Sequence, residues 1–340
     1  MVVRGRWARA VLALLMPAVI LTGASCADLQ LAKYRNEPLV AGYHYTLGEK
    51  YLAVDGLKFC YQEMGQGDTV LILPGLGTSI DYWQFVMPPL AEHHHVVAVD
   101  LPGFGKSDKP DASYALAWIV ERILGFMDAK GIRRTSVIGG SLGGHLALIM
   151  ALDHPDRVSK LVLMGSVGNW EPPDLMRDLA IKTLWSDRLA TNFMRERWPE
   201  IFQKMFEHPT PFTQRTFAYD MALRADAPKY APQGRAASRA FRSILYSSCR
   251  DRLKDIPCPV LLVWGEDDQI HTAAEIGMYF RDHLPDSRLV VVPDSAHEVM
   301  VDQPEAFGRL VLAFLKSGTA GVADRLPAAL AKTAAPPKAK

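Results

Sequence analysis

A single serine lies at the centre of a glycine-rich turn between two apolar segments. In the stretch VIGGSLGGHLAL, residues 137–148, Ser141 has Gly139 two positions before it and Gly143 two positions after it. Glycine costs about 1 kcal/mol relative to alanine inside regular structure, so this concentration of glycines needs a physical reason. A G-x-S-x-G sequence between a strand-like run and a helical run predicts an exposed serine nucleophile. Side chains at positions 139 and 143 would then collide with the neighbouring strand and helix.

A glycine-rich turn of this kind can also serve purposes that need no nucleophile. The glycines would let a helix pack closely against a sheet, or they would form a loop that holds the phosphates of a nucleotide. A P-loop also carries a lysine followed by serine or threonine, and this turn lacks them. We therefore prefer the nucleophile interpretation of Ser141.

A serine hydroxyl is a poor nucleophile at neutral pH, so it needs a histidine base and a carboxylate that orients the histidine. Both groups should lie on loops at the carboxyl ends of strands that follow the serine. The segment PVLLVWGEDDQI places Glu266, Asp267 and Asp268 after one apolar run, and LVVVPDSAHEV places His297 after the last. We interpret His145, on the helix after the turn, as a packing or surface residue.

Eight short aliphatic runs predict the strands that position these residues. Two of them lie in EKYLAVDGLKFCYQEMG and are joined by Asp55-Gly56, a strong hairpin signal. The other six end in glycine, proline or aspartate and suit parallel strands buried on both faces. Helical segments alternate with them, which predicts a mostly parallel, doubly wound α/β sheet of eight strands. The predicted helices are 81–92, 113–130, 142–154, 273–283 and 304–316.

The alternation breaks once, over residues 168–255, where no buried strand is predicted. This segment is rich in aromatic residues, among them Trp170, Trp185, Phe193 and Trp198, and its spacing suits short amphipathic helices. It is too long to be a plain connection in a compact domain. We predict an inserted helical cap there, between two halves of an α/β core at 49–167 and 256–316.

The chain resembles the α/β-hydrolase superfamily, in its capped branch of serine hydrolases. The matching stretches are LPGLGTS, VVAVDLPGFGKSDKP, GGSLGG, HPDRVSKLVLMGS, PVLLVWGEDDQI and DSAHEVMVDQPEAF. They span about Tyr51 to Lys316 and are specific as a set. The resemblance implies an α/β-hydrolase fold.

The resemblance also implies the roles of individual residues. The family's acid lies three residues after the strand-end glycine, which is Asp268 here, with Asp267 as the fallback and Glu266 third. The family's base precedes a helix that starts with Pro-Glu, and His297 fits this position. The oxyanion hole would consist of the backbone N–H groups of Leu76 and Leu142.

The function that follows is hydrolysis of a small hydrophobic ester or related acyl compound through an acyl-enzyme, with no cofactor or metal. Hydrolysis of a carbon–carbon bond in ring-cleavage products is the second hypothesis. That subfamily usually has His-Gly in the first loop and Asn before the serine, where this chain has Pro74 and Gly140. Acyl transfer or perhydrolysis would use the same residues, and a non-catalytic lipid-binding protein is a distant alternative.

Both ends of the chain are predicted to lie outside the fold. Residues 1–27 combine three arginines, an apolar run and small residues, as in an export signal, with an uncleaved membrane anchor as the alternative. Cys26 is a candidate site for lipid attachment, and cleavage after Ala27 is the alternative. We expect an exported protein, periplasmic, attached to the cell envelope or secreted. Residues 28–48 are predicted to be a linker and 317–340 a disordered tail.

Charge and cysteine content exclude some partners. The 340 residues carry a formal net charge of +1, which gives no reason to expect nucleic acid. Besides Cys26 there are Cys60, Cys249 and Cys258, an odd number that cannot all pair within the chain. A disulfide between Cys249 and Cys258 and three separate thiols both remain open.

Overall fold

An eight-stranded sheet lies at the centre of the computed structural model, which describes residues 48–169, 171 and 186–328. The strands are β1 (Lys50–Val54), β2 (Leu57–Met64), β3 (Thr69–Leu73), β4 (His95–Val99), β5 (Thr135–Gly140), β6 (Val158–Met164), β7 (Val260–Gly265) and β8 (Ser287–Val292). Their order in the sheet is β1-β2-β4-β3-β5-β6-β7-β8. β2 pairs antiparallel with β1 and β4, and every other pair is parallel. The predicted mostly parallel, eight-stranded α/β-hydrolase fold is confirmed.

The hairpin between β1 and β2 forms at Asp55 and Gly56, as predicted. Their φ angles are 49° and 78°, and a two-residue hairpin turn of type I′ needs positive φ at both positions. Glycine and aspartate tolerate these values better than most residues do.

The nine α-helices found among the described residues cover both faces of the sheet or form the cap. Leu71 and Leu73 of β3 face one apolar cluster, and Val70 and Ile72 face another on the opposite side. A strand buried on both faces explains the continuous apolar runs in the sequence. The helices are α1 (Met87–Ala91), α2 (Leu116–Ala129), α3 (Leu142–Asp153), α4 (Asp187–Gln203), α5 (Pro211–Ala225), α6 (Ala227–Ile244), α7 (Met278–His283), α8 (Val299–Asp302) and α9 (Pro304–Ser317).

The predicted helix 81–92 is divided in the structure. A 3₁₀ turn covers Ile80–Trp83, and α1 begins only at Met87. Two prolines follow Met87 in the sequence, and proline is tolerated in the first turn of a helix but not in its interior. α1 therefore starts at the prolines instead of running through them.

Three helices, α4 to α6, fill most of the segment between β6 and β7. Their N-termini are capped by Ser186, Thr210 and Asp226, whose side chains accept backbone N–H groups of the first turn. Aromatic side chains of α4 and α5, such as Trp198, pack in the same apolar cluster as Tyr82 of the core. Trp170 and Trp185 of the predicted cap lie outside the described residues.

The prediction of a disordered tail at 317–340 is wrong for its first part. The Arg325 N–H donates to the Leu289 carbonyl at 3.0 Å, and the Asp324 carboxylate accepts the Leu289 N–H at 2.9 Å. β8 is an edge strand with unpaired backbone groups, and this segment satisfies some of them. The core therefore extends beyond the predicted boundary at 316, while residues 329–340 lie outside the described part.

The predicted export segment 1–27 and nearly all of the linker 28–48 also lie outside the described residues. Across 48–169, 171 and 186–328, no helix has the length and apolar character needed to cross a membrane. Of the open alternatives for the cysteines, the structure has separate thiols: Cys60, Cys249 and Cys258 are all free and buried.

Candidate active site

The turn after β5 holds Ser141 in a strained backbone conformation. Its φ is 49° and its ψ is −112°, a region that residues other than glycine rarely adopt, at a cost of about 1–3 kcal/mol. A Cβ atom at Gly139 would lie 2.5 Å from the backbone of Gly143, and one at Gly143 would lie 2.0 Å from the Leu73 carbonyl oxygen. The predicted need for glycine at both positions is confirmed, because α3 packs against β3 and β5 at a distance that leaves no space for a side chain.

Two backbone N–H groups lie on the loops around Ser141. Leu142 begins α3, and Leu76 is in the loop after β3. A Cβ atom at Gly75, next to Leu76, would lie 3.4 Å from Ser141 Cβ, so this loop passes directly beside the serine. Among the described residues, neither N–H donates a hydrogen bond to another backbone group. The N-terminus of α3 at Leu142 also carries the positive end of the helix dipole.

The structure brings His297 and Asp268 into direct contact. His297 Nδ1 lies 2.8 Å from Asp268 Oδ2, and both side chains are almost completely buried. The other carboxylate oxygen, Oδ1, accepts the backbone N–H groups of Ile270 and His271, each at 2.8 Å. Because a carboxylate can only accept, Nδ1 donates, and the lone pair of a neutral His297 is left on Nε2.

Ser141 and His297 lie on either side of the end of β6. The Ser141 N–H donates to the Met164 carbonyl at 2.9 Å. A Cβ atom at the next residue, Gly165, would lie 2.9 Å from His297 Nδ1 and Cε1. A larger residue than glycine at 165 would therefore collide with the His297 ring. In the described structure, no hydrogen bond joins the Ser141 hydroxyl to the His297 ring; such bonds often form only when substrate is bound.

Charges near His297 change its affinity for a proton. Burial alone would lower the pKa of His297, but the charge of Asp268, its hydrogen bond and the charge of Glu298 together raise that pKa above its ordinary value. The protonated ring that forms when a serine loses its proton is thereby stabilised. This is the electrostatic arrangement that a general base for serine requires.

Two titratable neighbours of His297 were not identified from the sequence. The His271 ring lies 5.2 Å from the His297 ring between centroids, and desolvation together with the His297 charge lowers the pKa of His271 to about 3. Burial raises the pKa of Glu298 to about 7, although His297 opposes this. In the sequence, the only indication of these two residues is that they lie close to Asp268 and His297 in the chain. Closeness within a loop does not determine where a side chain points.

The other candidate residues have different surroundings. Glu266 and Asp267 are exposed, so Asp268 is the carboxylate of this loop that meets the histidine. His145 is fully buried, and its Nε2 lies 2.5 Å from the Ser247 carbonyl oxygen. Burial lowers the pKa of His145 to about 4, which agrees with its interpretation as a packing residue.

A cleft of about 250 Å³ lies between the core and the cap, next to the loop after β3. The core side is formed by residues 77–79 with Gly105, Lys106 and Lys109, and α5 and α6 contribute Asp220, Leu223 and Gln233. Leu223 is the one aliphatic residue among the described residues that line it. Trp198 of the cap closes over the loop, since a Cβ atom at Gly77 would lie 3.2 Å from its ring. Within the described ranges there is no cluster of side chains able to hold a metal ion.

Comparison with known proteins places this geometry in a family. The sequence profile of the alpha/beta hydrolase fold matches residues 68–304. A relative from Metapseudomonas resinovorans, 2-hydroxy-6-oxo-6-(2'-aminophenyl)hexa-2,4-dienoic acid hydrolase, is 28% identical over 78% of this chain and 90% of its own length. Four further relatives, at 28–29% identity, are also named as 2-hydroxy-6-oxo-acid hydrolases.

Esterases are found among the similar proteins as well. The pimeloyl-[acyl-carrier protein] methyl ester esterase of Aeromonas hydrophila is 29% identical, over 75% of this chain and 98% of its own. The crystal structure of a membrane phospholipase A, described as a bacterial virulence factor, is 28% identical with a TM-score of 0.59. It covers 91% of this chain and 96% of its own. With the profile match, the eight-stranded sheet and the serine turn, the chain belongs to the α/β-hydrolase fold family and is a hydrolase.

Proposed function

We propose that the chain is a serine hydrolase of carboxylic esters, working through an acyl-enzyme. The observation that carries the proposal is the buried Asp268–His297 pair, 2.8 Å apart, beside the strained turn that holds Ser141. Ser141 Oγ attacks the acyl carbonyl while His297 Nε2 takes its proton. Asp268 keeps the ring in the required tautomer and stabilises its charge.

The rest of the cycle uses the same groups. The N–H groups of Leu76 and Leu142 donate to the oxyanion, a contribution that is typically worth about 3 kcal/mol of barrier per donor. His297 then passes its proton to the leaving alcohol. A water molecule that loses a proton to His297 attacks the acyl-enzyme, and His297 returns that proton to Ser141 Oγ as the acid is released.

Position 140 favours ester hydrolysis over carbon–carbon bond hydrolysis. The ring-cleavage subfamily usually has Asn before the serine, and here that residue is Gly140. A Cβ atom at Gly140 would lie 3.1 Å from Met164 Cε and 3.3 Å from the Trp83 ring, so the space for such a side chain is already filled. Pro74 occupies the position at which that subfamily usually has histidine, which is a second difference from the carbon–carbon bond hydrolases.

Hydrolysis of a carbon–carbon bond is the second candidate, and the names of the relatives favour it. Five curated relatives at 28–29% identity are named for hydrolysis of 2-hydroxy-6-oxo acids. Acyl transfer or perhydrolysis would differ only in the acceptor.

One substrate panel separates these candidates. Purified protein is assayed with p-nitrophenyl esters of increasing chain length, a diacyl phospholipid and 2-hydroxy-6-oxo-6-phenylhexa-2,4-dienoate, each with wild type and Ser141→Ala. We expect ester turnover that Ser141→Ala abolishes and no consumption of the dienoate. Consumption of the dienoate without ester turnover would replace the first candidate by the second. If no substrate reacts and a fluorophosphonate probe does not label Ser141, both candidates fail and a non-catalytic role takes their place.

We further propose that the protein is exported and attached to a membrane through its N-terminal segment or through lipid on Cys26. The basic and apolar residues within 1–27 support this, and so does the membrane phospholipase A, whose similarity covers 91% of this chain. Cys26→Ala should release the protein from the membrane fraction if lipid is the anchor. Retention of that variant would assign the anchor to the apolar segment, and a wild type without membrane association would overturn the proposal.

A further inference from the structure

The backbone on each side of His297 is tied to the chain segment 205–208, which joins cap helices α4 and α5, directly on one side and through Asp302 on the other. On one side, the Glu298 N–H donates directly to the Met205 carbonyl at 2.9 Å. On the other side, the Ala296 N–H donates to Asp302 Oδ2 at 2.9 Å. The backbone on both sides of the histidine therefore depends on contacts that lie outside its own loop.

Asp302 connects the histidine loop to the cap segment through one atom. The same oxygen, Oδ2, that accepts from Ala296 also accepts the backbone N–H of Glu207 at 3.0 Å. Asp302 itself is the last residue of α8, and its N–H donates to the Glu298 carbonyl at 3.2 Å. A third, more exposed contact joins the same two parts of the chain: His208 Nε2 lies 2.9 Å from Asp294 Oδ1.

The cap segment also reaches the cleft. The Phe206 ring stacks on the Tyr82 ring, with centroids 6.0 Å apart, and Tyr82 lines the cleft next to the loop after β3. Met205, beside Phe206, is 3% exposed and packs in the apolar cluster that includes Tyr82. A continuous set of contacts thus runs from the cleft through Phe206 and Glu207 to Asp302 and the histidine loop.

We propose that Asp302 is a positioning residue for His297, which makes the alignment of the base depend on how cap segment 205–208 is seated over the cleft. The inference rests on the proposed function, because it takes His297 as the base. Asp302 lies five residues from His297 in the chain and acts through the backbone of the histidine loop. Loss of the carboxylate frees Ala296 and Glu207 from each other while the contact between Asp268 and His297 stays intact.

The test compares Asp302→Ala, Asp302→Asn and a matched control, Asp324→Ala. Asp324 also accepts a backbone N–H of the sheet edge, that of Leu289, but it anchors the C-terminal segment instead of the cap. With a p-nitrophenyl ester, we expect Asp302→Ala to lower kcat about 10- to 100-fold, since a displacement near 1 Å can cost that much. KM should change little, and the rate of fluorophosphonate labelling should fall in parallel with kcat.

The other two variants separate positioning from general destabilisation. Asp302→Asn keeps an oxygen that accepts both N–H groups, so most of the wild-type kcat should return. Asp324→Ala should lower the melting temperature and leave kcat unchanged. If Asp302→Ala is folded and has the wild-type kcat, or if Asp324→Ala loses kcat to the same extent, the positioning role is overturned.

Phe206→Ala provides the second variant if Asp302→Ala does not fold. It loosens the cap segment from the cleft side without touching the carboxylate, and it should also lower kcat more than it changes KM. An unchanged kcat in a folded Phe206→Ala protein contradicts the proposal. Failure of the proposed function has a separate signature, since wild type itself would then neither hydrolyse esters nor react with the fluorophosphonate.

Discussion

The loops that carry Ser141 and His297 are held in place by different parts of the molecule. The serine turn is fixed within the core: α3 packs on β3 and β5, and the Ser141 N–H bonds to the end of β6. The histidine loop has its Asp268 contact in the core, but the peptide groups around His297 bond to the cap segment or to the carboxylate that holds it. Among the described parts of the chain, the serine turn is thus held without contacts to the cap segment, whereas the histidine loop is held by contacts to it.

This difference has a physical consequence for how such a site can respond to substrate. The serine turn packs so closely on its neighbours that Cβ atoms at Gly139 and Gly143 would lie 2.0–2.5 Å from backbone atoms, which leaves the turn little room to shift. A loop held by three hydrogen bonds to another segment can shift when that segment shifts. In the proposed mechanism the nucleophile, Ser141, is therefore the fixed point of the site, and we expect the position of the base, His297, to depend on the cap.

The largest effect should come from removing the hydroxyl in the fixed loop. Ser141→Ala keeps a Cβ atom, so the turn and its packing should persist while kcat for an ester falls by about 10⁶-fold. Steady-state assays with thermal unfolding of both proteins measure the two quantities. Substantial residual turnover in Ser141→Ala would show that another group attacks the carbonyl.

The second effect concerns the core contact of the histidine loop. Asp268→Asn should lower kcat by about 10⁴-fold, because an amide does not hold the Nδ1–H tautomer or stabilise the charged ring. Asp267→Asn is the matched control, since Asp267 is exposed and only its backbone N–H is bonded, to the Ser295 carbonyl at 3.0 Å. If Asp267→Asn loses activity and Asp268→Asn does not, the acid is Asp267.

The third prediction tests the packing that makes the serine turn rigid. Gly143→Ala should destabilise the fold by about 1–3 kcal/mol or more, because its Cβ atom would meet the Leu73 carbonyl oxygen at 2.0 Å. Gly125→Ala, in the interior of α2, is the control: its Cβ atom would have only ordinary contacts at 3.4 Å, and it should stabilise the helix by about 1 kcal/mol. Urea unfolding of both variants measures the difference. Equal effects would show that the turn tolerates a side chain.

The smallest effect concerns charge in the histidine loop. Only neutral His297 can accept the serine proton, so kcat/KM should rise as pH passes through its raised pKa. Glu298→Gln removes one of the negative charges that raise this pKa, so the rising limb should move to lower pH. A limb that stays in place would mean that Glu298 does not influence the base.

The same variant has a consequence for stability. The pKa of Glu298 is raised from 4.5 to about 7 in the folded protein, so the folded state binds more protons than the unfolded state between these values. Stability contributed by the protonated carboxyl is present below pH 4.5 and is lost as pH rises through about 7. Glu298→Gln should therefore gain in free energy of unfolding relative to wild type as pH increases over this range.

Much of the fold and the three candidate catalytic residues could be predicted from local patterns. Asp55-Gly56, the aliphatic runs and the glycines around Ser141 each specify a backbone conformation through their own chemistry. Asp302, Glu298 and the segment after 317 could not be identified in this way. Their roles depend on which distant groups, such as the Glu207 N–H or the free edge of β8, happen to lie beside them.

The amino-acid sequence by itself determined the strands, the serine turn and the order of serine, acid and histidine, because periodicity and steric limits act over a few residues. The resemblance favoured Asp268 over Asp267, and the tertiary structure shows that Asp268 is the one in contact with His297. Only the tertiary structure decided that the histidine loop is held by the cap and that the chain after residue 317 completes the sheet edge. Hydrogen bonds between segments far apart in the chain have no local signature, since their partners are chosen by packing.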